Sequence, residues 1–344
     1  MSLRIAITAD PYLPVPPRLY GGIERVVALL VSGLVRRGHH VTLIAHPDSR
    51  TPASLISYGV PPHTGPSARL RELFQVGSAL VRLSGTVDII HSFGRLAALA
   101  PVLPMRGVKK IQSYQRAIPW TGVQRASWLG AGSLSFTGCS TSLYASHNGA
   151  AHGTRWRTVF NCVDPASYVA VTSVRADAPL AFLGRIERIK GTHAAIQIAK
   201  ASGRPLVIAG NVADPDYFRS EVAPHLDDRL VTYIGEVDDA GKNRLLGDAA
   251  ALLMPIEWDE PFGIVMAEAF ACGTPVIGFS RGSVPEVVRQ GVNGFVVGTV
   301  AEASEAVQRL DRIDREAVRR DCEERFSCDA IVGAYEQLYR EAIG

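Results

Sequence analysis

Leu180-Ala181-Phe182-Leu183-Gly184-Arg185-Ile186-Glu187-Arg188-Ile189-Lys190-Gly191 begins as a short apolar strand and ends as a loop feeding a helix. Gly184 lets the backbone turn at the strand end, and Arg185 and Lys190 then stand where the helix starts. Ligands of doubly wound parallel sheets bind at that edge. A forked guanidinium beside a point-charge ammonium suits a diphosphate, although a solvated basic helix start is the plainer alternative. Outward from this segment the same alternation recurs, with β-branched apolar runs separated by helix-length amphipathic stretches. The first half has candidate strands at 3–9, 40–46, 87–92, 108–113, 135–139 and 158–161; the second has them at 180–184, 205–209, 230–234, 251–254, 275–278 and 295–297. After Gly22, residues Ile23, Val26, Val27, Leu30 and Leu34 recur at helical spacing, and Gly38 supplies the stop. The fold class is therefore α/β, with a parallel sheet in each half.

At 344 residues the chain is long enough for about two domains. With 47% hydrophobic and 20% charged residues it is globular in composition, neither disordered nor fibrous. Five cysteines with no CxxC pair point to a reducing compartment. The start, MSLRIAITAD, is too short in its apolar run for a secretory segment, and no run of 18 apolar residues is available to span a bilayer. Cytoplasmic residence is expected. The net charge of +3 conceals an asymmetry: residues 1–172 carry 17 Lys and Arg against 6 Asp and Glu, and residues 173–344 carry 19 against 27. A first half at +11 suits an anionic ligand, an acidic membrane surface or nucleic acid, and a dispersed basic surface that only aids solubility is the plainer alternative. The unperiodic stretch 164–178, with Pro165 where the charge changes sign, is the expected linker.

No GxGxxG follows the first strand, and GxxxxGK[ST], HExxH, GxSxG and metal-spaced Cys/His sets are missing. Asp214-Pro215-Asp216 reads as a turn, not as a metal site. Asp259-Glu260-Pro261-Phe262-Gly263-Ile264-Val265-Met266-Ala267-Glu268-Ala269 is more informative. Pro261 near a helix start implies free N-terminal amides, which attract an anion or a polarised sugar hydroxyl. Glu260 lies ahead of that terminus and Glu268 about two turns inside it, so the carboxylates would meet different groups of one polyhydroxylated ligand.

In these residues the chain resembles the retaining, nucleotide-sugar-dependent enzymes of glycosyltransferase family 4. The carrying motifs are GR-x4-KG (Gly184, Arg185, Lys190, Gly191) and E-x7-E (Glu260, Glu268), supported by Gly21-Gly22 with Glu24, Gly282-Ser283-Val284-Pro285-Glu286 and the Phe326-Ser327 start of a last helix. The resemblance implies a GT-B fold, two Rossmann-like doubly wound domains facing an interdomain cleft. It implies an acceptor-binding domain at 1–170, a nucleotide-sugar domain at 171–326 and a helix at 327–344 crossing back to the first. Arg185 and Lys190 would hold the donor diphosphate, Gly21 and Gly22 would approach it by backbone, and Glu268 would take the ribose. Glu260 and the Phe262, Gly263, Ile264 and Val265 backbone would orient the sugar, and Gly210, Ile234 and Val237 would lie by the base. His91, or a backbone group, would serve near the reacting carbon, although a histidine at a strand end is more often packed or hydrogen-bonded than catalytic. Here the chain departs from the family, because Asp88-Ile89-Ile90-His91-Ser92-Phe93 has Phe93 where many relatives have a second histidine. The implied activity is hexosyl transfer with retention, without a metal or other cofactor, from a nucleotide-sugar partner to an anionic or lipid-linked acceptor. Peripheral contact with the inner membrane face fits the basic half, and no nucleic-acid partner is expected. A GT-B epimerase or phosphorylase and a non-catalytic nucleotide-sugar sensor are the alternatives.

Overall fold

The computed structural model describes residues 2–17, 21–58, 66–145 and 153–344. The chain forms two compact units, Met1–Cys162 with Cys328–Gly344, and Val163–Ser327.

In the first unit a parallel sheet runs β3 (Ser54–Ser57), β2 (His40–Ala45), β1 (Arg4–Thr8), β4 (Ile89–Ser92), β5 (Lys109–Tyr114), β6 (Leu134–Gly138), β7 (Trp156–Thr158). Ile5 of β1 faces Val41 on one side and Ile89 on the other. Such central strands are buried on both faces, which is why they read as continuous apolar runs. From β1 the chain builds outward to β3 and then returns to place β4 on the other side of β1. That reversal creates a switch point between the C-terminal ends of β1 and β4. Under one face, Val76, Leu80, Leu99 and Val123 pack against Ile90 and Phe136.

The second unit repeats the plan in the order β10 (Val231–Tyr233), β9 (Leu206–Ala209), β8 (Leu180–Leu183), β11 (Ala251–Met254), β12 (Val276–Phe279), β13 (Gly294–Val297), all parallel. Its switch point falls between β8 and β11. The loops leaving those two strands carry the two motifs of the sequence.

The expected strands form close to their read positions, but β3 is an addition: its four residues are short and mostly exposed. The strand expected at 158–161 ends by Thr158. The chain enters the second unit at Val163, ahead of the stretch read as a linker, where Asp164 caps a single 3₁₀ turn. Asp214 likewise caps the turn that follows it, accepting from the Tyr217 amide at 3.0 Å. All five cysteines are buried. Among the described residues no helix is long and apolar enough to cross a membrane.

Candidate active site

The strand β8 ends at Leu183, and the following turn carries Arg185 to the C-terminal edge of the sheet. A 3₁₀ turn over Arg188–Lys190 then delivers Lys190 to the helix Thr192–Ser202 through Gly191. Gly191 is fixed twice over. Its φ of +75° is left-handed, and a Cβ there would overlap the Pro255 carbonyl of the loop after β11. The Glu257 amide donates to Ile189 O at 2.9 Å, tying the same two loops together.

This close approach brings the two motifs into contact. Lys190 Nζ lies 2.5 Å from Glu260 Oε2, and Trp258 Nε1 donates to that oxygen at 3.0 Å. The ammonium also sits 4.9 Å from the Trp258 ring centroid, a cation–π contact. Glu260 is braced by the loop after β12. Ser283 donates its amide to Glu260 O and its hydroxyl to Phe262 O, each at 2.9 Å. Gly282, at φ +53°, presses so closely on Glu260 that any Cβ would overlap its backbone.

Glu268 is held differently. The helix begins at Ile264, behind left-handed Gly263, so Glu268 lies about one turn inside and not two. Pro261 stands in the preceding loop and not at the helix start. Glu268 is buried; its Oε1 accepts from Tyr168 Oη at 3.0 Å and from Lys242 Nζ at 2.5 Å. Burial, with Glu268 second, pushes the Tyr168 hydroxyl above its usual range, so it remains a donor. Both carboxylates follow one rule: a lysine and an aromatic X–H hold one oxygen. The other oxygen has no protein hydrogen bond among the described residues. Tyr168 and Lys242 escaped the sequence reading, for neither stands in a motif.

Arg185 is partly exposed, and its Nη2 rests 2.7 Å from Glu187 Oε1 without hydrogen-bond alignment. Gly210 follows β9 at the same sheet edge, bonded through its amide to Gly235 O and through its carbonyl to Tyr233 Oη. Ile234, after β10, is 47% exposed and Val237 half-buried, while Phe262 is buried, so only its backbone is available there. Ile264 and Val265 open the helix, with the unpaired amides of any helix start. Arg185, Lys190, Gly210, Ile234, Val237, Glu260 and Glu268 thus belong to one unit, clustered about the loops that leave β8, β9, β10 and β11.

Gly21, Gly22 and His91 belong to the first unit. Gly21 caps the helix Gly22–Arg36, accepting from the Arg25 amide. The geometry places His91 in the core, the plainer of its two readings. Its side chain has no exposure, with Nδ1 2.7 Å from Tyr339 Oη and Nε2 2.6 Å from Ser113 Oγ. Burial lowers its pKa to about 3, leaving a neutral ring with no nitrogen offered to a ligand. It anchors the helix Cys328–Ile343 to the sheet. Phe93 packs on it at 4.4 Å between ring centroids, so the residue in place of the family's histidine is also core.

Residues 174–325 match the family of Glycosyl transferases group 1, and residues 20–173 match Glycosyltransferase Family 4. The glycosyltransferase AviGT4, involved in avilamycin A biosynthesis, superposes with a TM-score of 0.74 at 28% identity over 99% of this chain and 98% of that one. An Anabaena protein, HepE, solved with UDP-glucose, shares the fold at a TM-score of 0.73 and 16% identity, covering 98% of this chain and all of its own. The glycogen synthase of Mycobacterium tuberculosis is 25% identical over 99% of this chain and 95% of its own. The N-acetyl-alpha-D-glucosaminyl L-malate synthase of Bacillus anthracis is 34% identical over 35% of this chain, and the match spans about a third of that protein (32%). Fold and matches define a glycosyltransferase of the GT-B type. The chain belongs to glycosyltransferase family 4.

Proposed function

We propose that this chain transfers a hexose from a nucleoside diphosphate sugar to an acceptor hydroxyl, with retention of anomeric configuration and without a metal ion. The carrying observation is the pair of half-committed carboxylates, Glu260 and Glu268, beside two cations at one switch point. A carboxylate oxygen with no protein partner is an acceptor for sugar hydroxyls: Glu268 serves the ribose and Glu260 the transferred ring. Lys190 exchanges Glu260 for the arriving diphosphate, and Arg185 leaves Glu187 for it. The base lies against Ile234 and Val237.

In the transfer step the acceptor oxygen attacks the anomeric carbon as the bond from that carbon to the diphosphate oxygen breaks. The departing phosphate takes the hydroxyl proton on the same face of the sugar. Charge building on the leaving oxygens is offset by the guanidinium and ammonium, the type of preorganised electrostatic stabilisation that dominates many enzymes. Those two cations do what a divalent ion does elsewhere. The first unit binds the acceptor.

A thermal-shift panel of nucleoside diphosphates and their sugars identifies the donor, since a ligand of the folded form raises the melting temperature. With that donor, NMR of the product reads the anomeric configuration, and turnover in EDTA reads metal dependence. Lys190→Ala is expected to lower kcat by about 10²–10³, the usual cost of losing one such stabilising group. An inverted product, or turnover abolished by EDTA, overturns the corresponding part of the reading.

A further inference from the structure

From Ile89 to Val163 the sequence has no Asp or Glu over 75 positions, yet it carries eight Lys and Arg. Half of these are accounted for. Lys110 is buried, bonded to Met105 O and Ser133 Oγ, and Arg95, Arg116 and Arg157 face Glu72, Asp10 and Glu341. Arg106, Lys109, Arg125 and Arg155 form no ion pair among the described residues. The first unit's positive charge is thus concentrated here, and Glu341 of the last helix is the one carboxylate among the described residues that line the clefts beside it.

The fold gathers these cations. Arg106 and Lys109 lie at the start of β5, and Arg155 just precedes β7, so all three mark the N-terminal edge of the sheet. At the same edge ends the helix Trp120–Gly130, whose outer face presents Arg125, then Trp128 one turn later and Leu129 beside it. Trp128 is 80% exposed and Leu129 44%. A cleft of about 700 Å³ is lined by Arg106, Gln124, Trp128, Leu129 and Thr154. Thr154 also lines a second cleft, of about 380 Å³, which holds Lys109 and Arg155. Indole, aliphatic side chain and cations in excess of the one carboxylate, Glu341, therefore share one continuous strip.

We propose that this strip docks the protein on an anionic lipid bilayer. An exposed tryptophan with an adjacent leucine matches the apolar-to-polar gradient of the headgroup region, and the cations meet the negative surface potential. Of the two tryptophans that line these clefts only Trp128 stands exposed, since Trp156 stacks on Phe136 and Tyr144, and the lack of a series of open stacking rings sets the strip apart from a nucleic-acid groove. The strip occupies the edge opposite the switch point of the same parallel sheet, so docking leaves the C-terminal ends of β1 and β4 uncovered. Membrane contact and chemistry are therefore separable, and the acceptor need not be a lipid.

The test is co-sedimentation with vesicles of phosphatidylcholine, with and without about one-third phosphatidylglycerol. The protein is expected to bind the anionic vesicles at low salt, to leave them at high salt, and to ignore the neutral ones. Arg106→Gln and Arg125→Gln should each weaken binding about fivefold, and Trp128→Phe should abolish a blue shift of tryptophan emission, with wild-type melting temperatures throughout. Failure to bind anionic vesicles at low salt, or variants that bind like the wild type, overturns the proposal. So does a concentration-dependent dimer broken by Trp128→Ser, which would assign the strip to a second copy of the chain.

Discussion

Lys242 and Glu268 meet at 2.5 Å, ammonium on carboxylate, with Tyr168 closing on the same oxygen. Their side chains are only 13% and 10% exposed. Three separate stretches, the Tyr168 loop, the helix Asp239–Asp248 and the helix Ile264–Ala271, converge on one atom. That convergence fixes which carboxylate oxygen is spent on the protein and which is left for a ligand.

Removing one partner of a pair this buried leaves an uncompensated charge, which costs about 3 kcal/mol or more. Lys242→Met should destabilise the protein on that scale and weaken binding of the nucleotide donor. Joined to Glu268→Leu, most of the stability returns while donor binding is still lost. Urea denaturation of the wild type, both single variants and the double variant measures the coupling. Additive effects would mean that the contact carries no energy.

Gly191→Ala tests the junction of the two loops. The new methyl must displace the Pro255 carbonyl from a left-handed position, and backbone strain alone costs on the order of 1–3 kcal/mol. A lower melting temperature is expected together with poorer donor affinity, because Lys190 and Glu260 separate. A stable variant with wild-type affinity would show that the two loops are positioned independently.

His91 gives the first unit a pH dependence with a definite sign. The folded state holds it neutral, with a pKa of about 3 against an ordinary value of 6.5. Its contribution to stability is complete above about pH 6.5 and is lost as pH falls from there toward 3. The slope for one such proton is at most about 1.4 kcal/mol per pH unit. Urea midpoints between pH 7 and pH 4 should fall more steeply in the wild type than in His91→Gln; parallel curves refute the assignment.

Among the described residues Arg315 has no carboxylate partner. Its guanidinium instead donates to Val171 O at 2.7 Å, Ala249 O at 2.9 Å, Gly247 O at 3.0 Å and Thr274 Oγ1 at 2.7 Å. Burial lowers its pKa to about 10, so it stays charged at neutral pH. Arg315→Ala strands several buried acceptors at about 1 kcal/mol or more each, and a loss of about 3–5 kcal/mol is expected. Arg315→Lys should recover only part, since one ammonium cannot span the four acceptors. Equal stability of all three proteins would contradict this.

Most of the strand positions and both donor-side motifs are legible in the sequence, because parallel strands buried on two faces must be apolar and the switch-point loops carry their chemistry in local strings. What stays hidden is set by contacts distant in sequence. Arg315 lies in the string Asp314-Arg315-Glu316-Ala317-Val318-Arg319-Arg320, which reads as a solvated helical face, yet it is nearly buried. Lys242 is 26 positions from Glu268, and Tyr168 is 100. β3 shows too little apolar pattern for an edge strand to announce itself. His91 looks equally at home in a site or a core; what decides is Tyr339, 248 positions away.

That last distance bears on biosynthesis. The first unit is closed by residues that leave the ribosome after the whole second unit, so the His91 and Ser113 side chains await their phenolic partners while Val163–Ser327 is already able to fold. A nascent chain therefore passes through an interval with one finished lobe and one unsealed, and that interval is when a chaperone has apolar surface to grip.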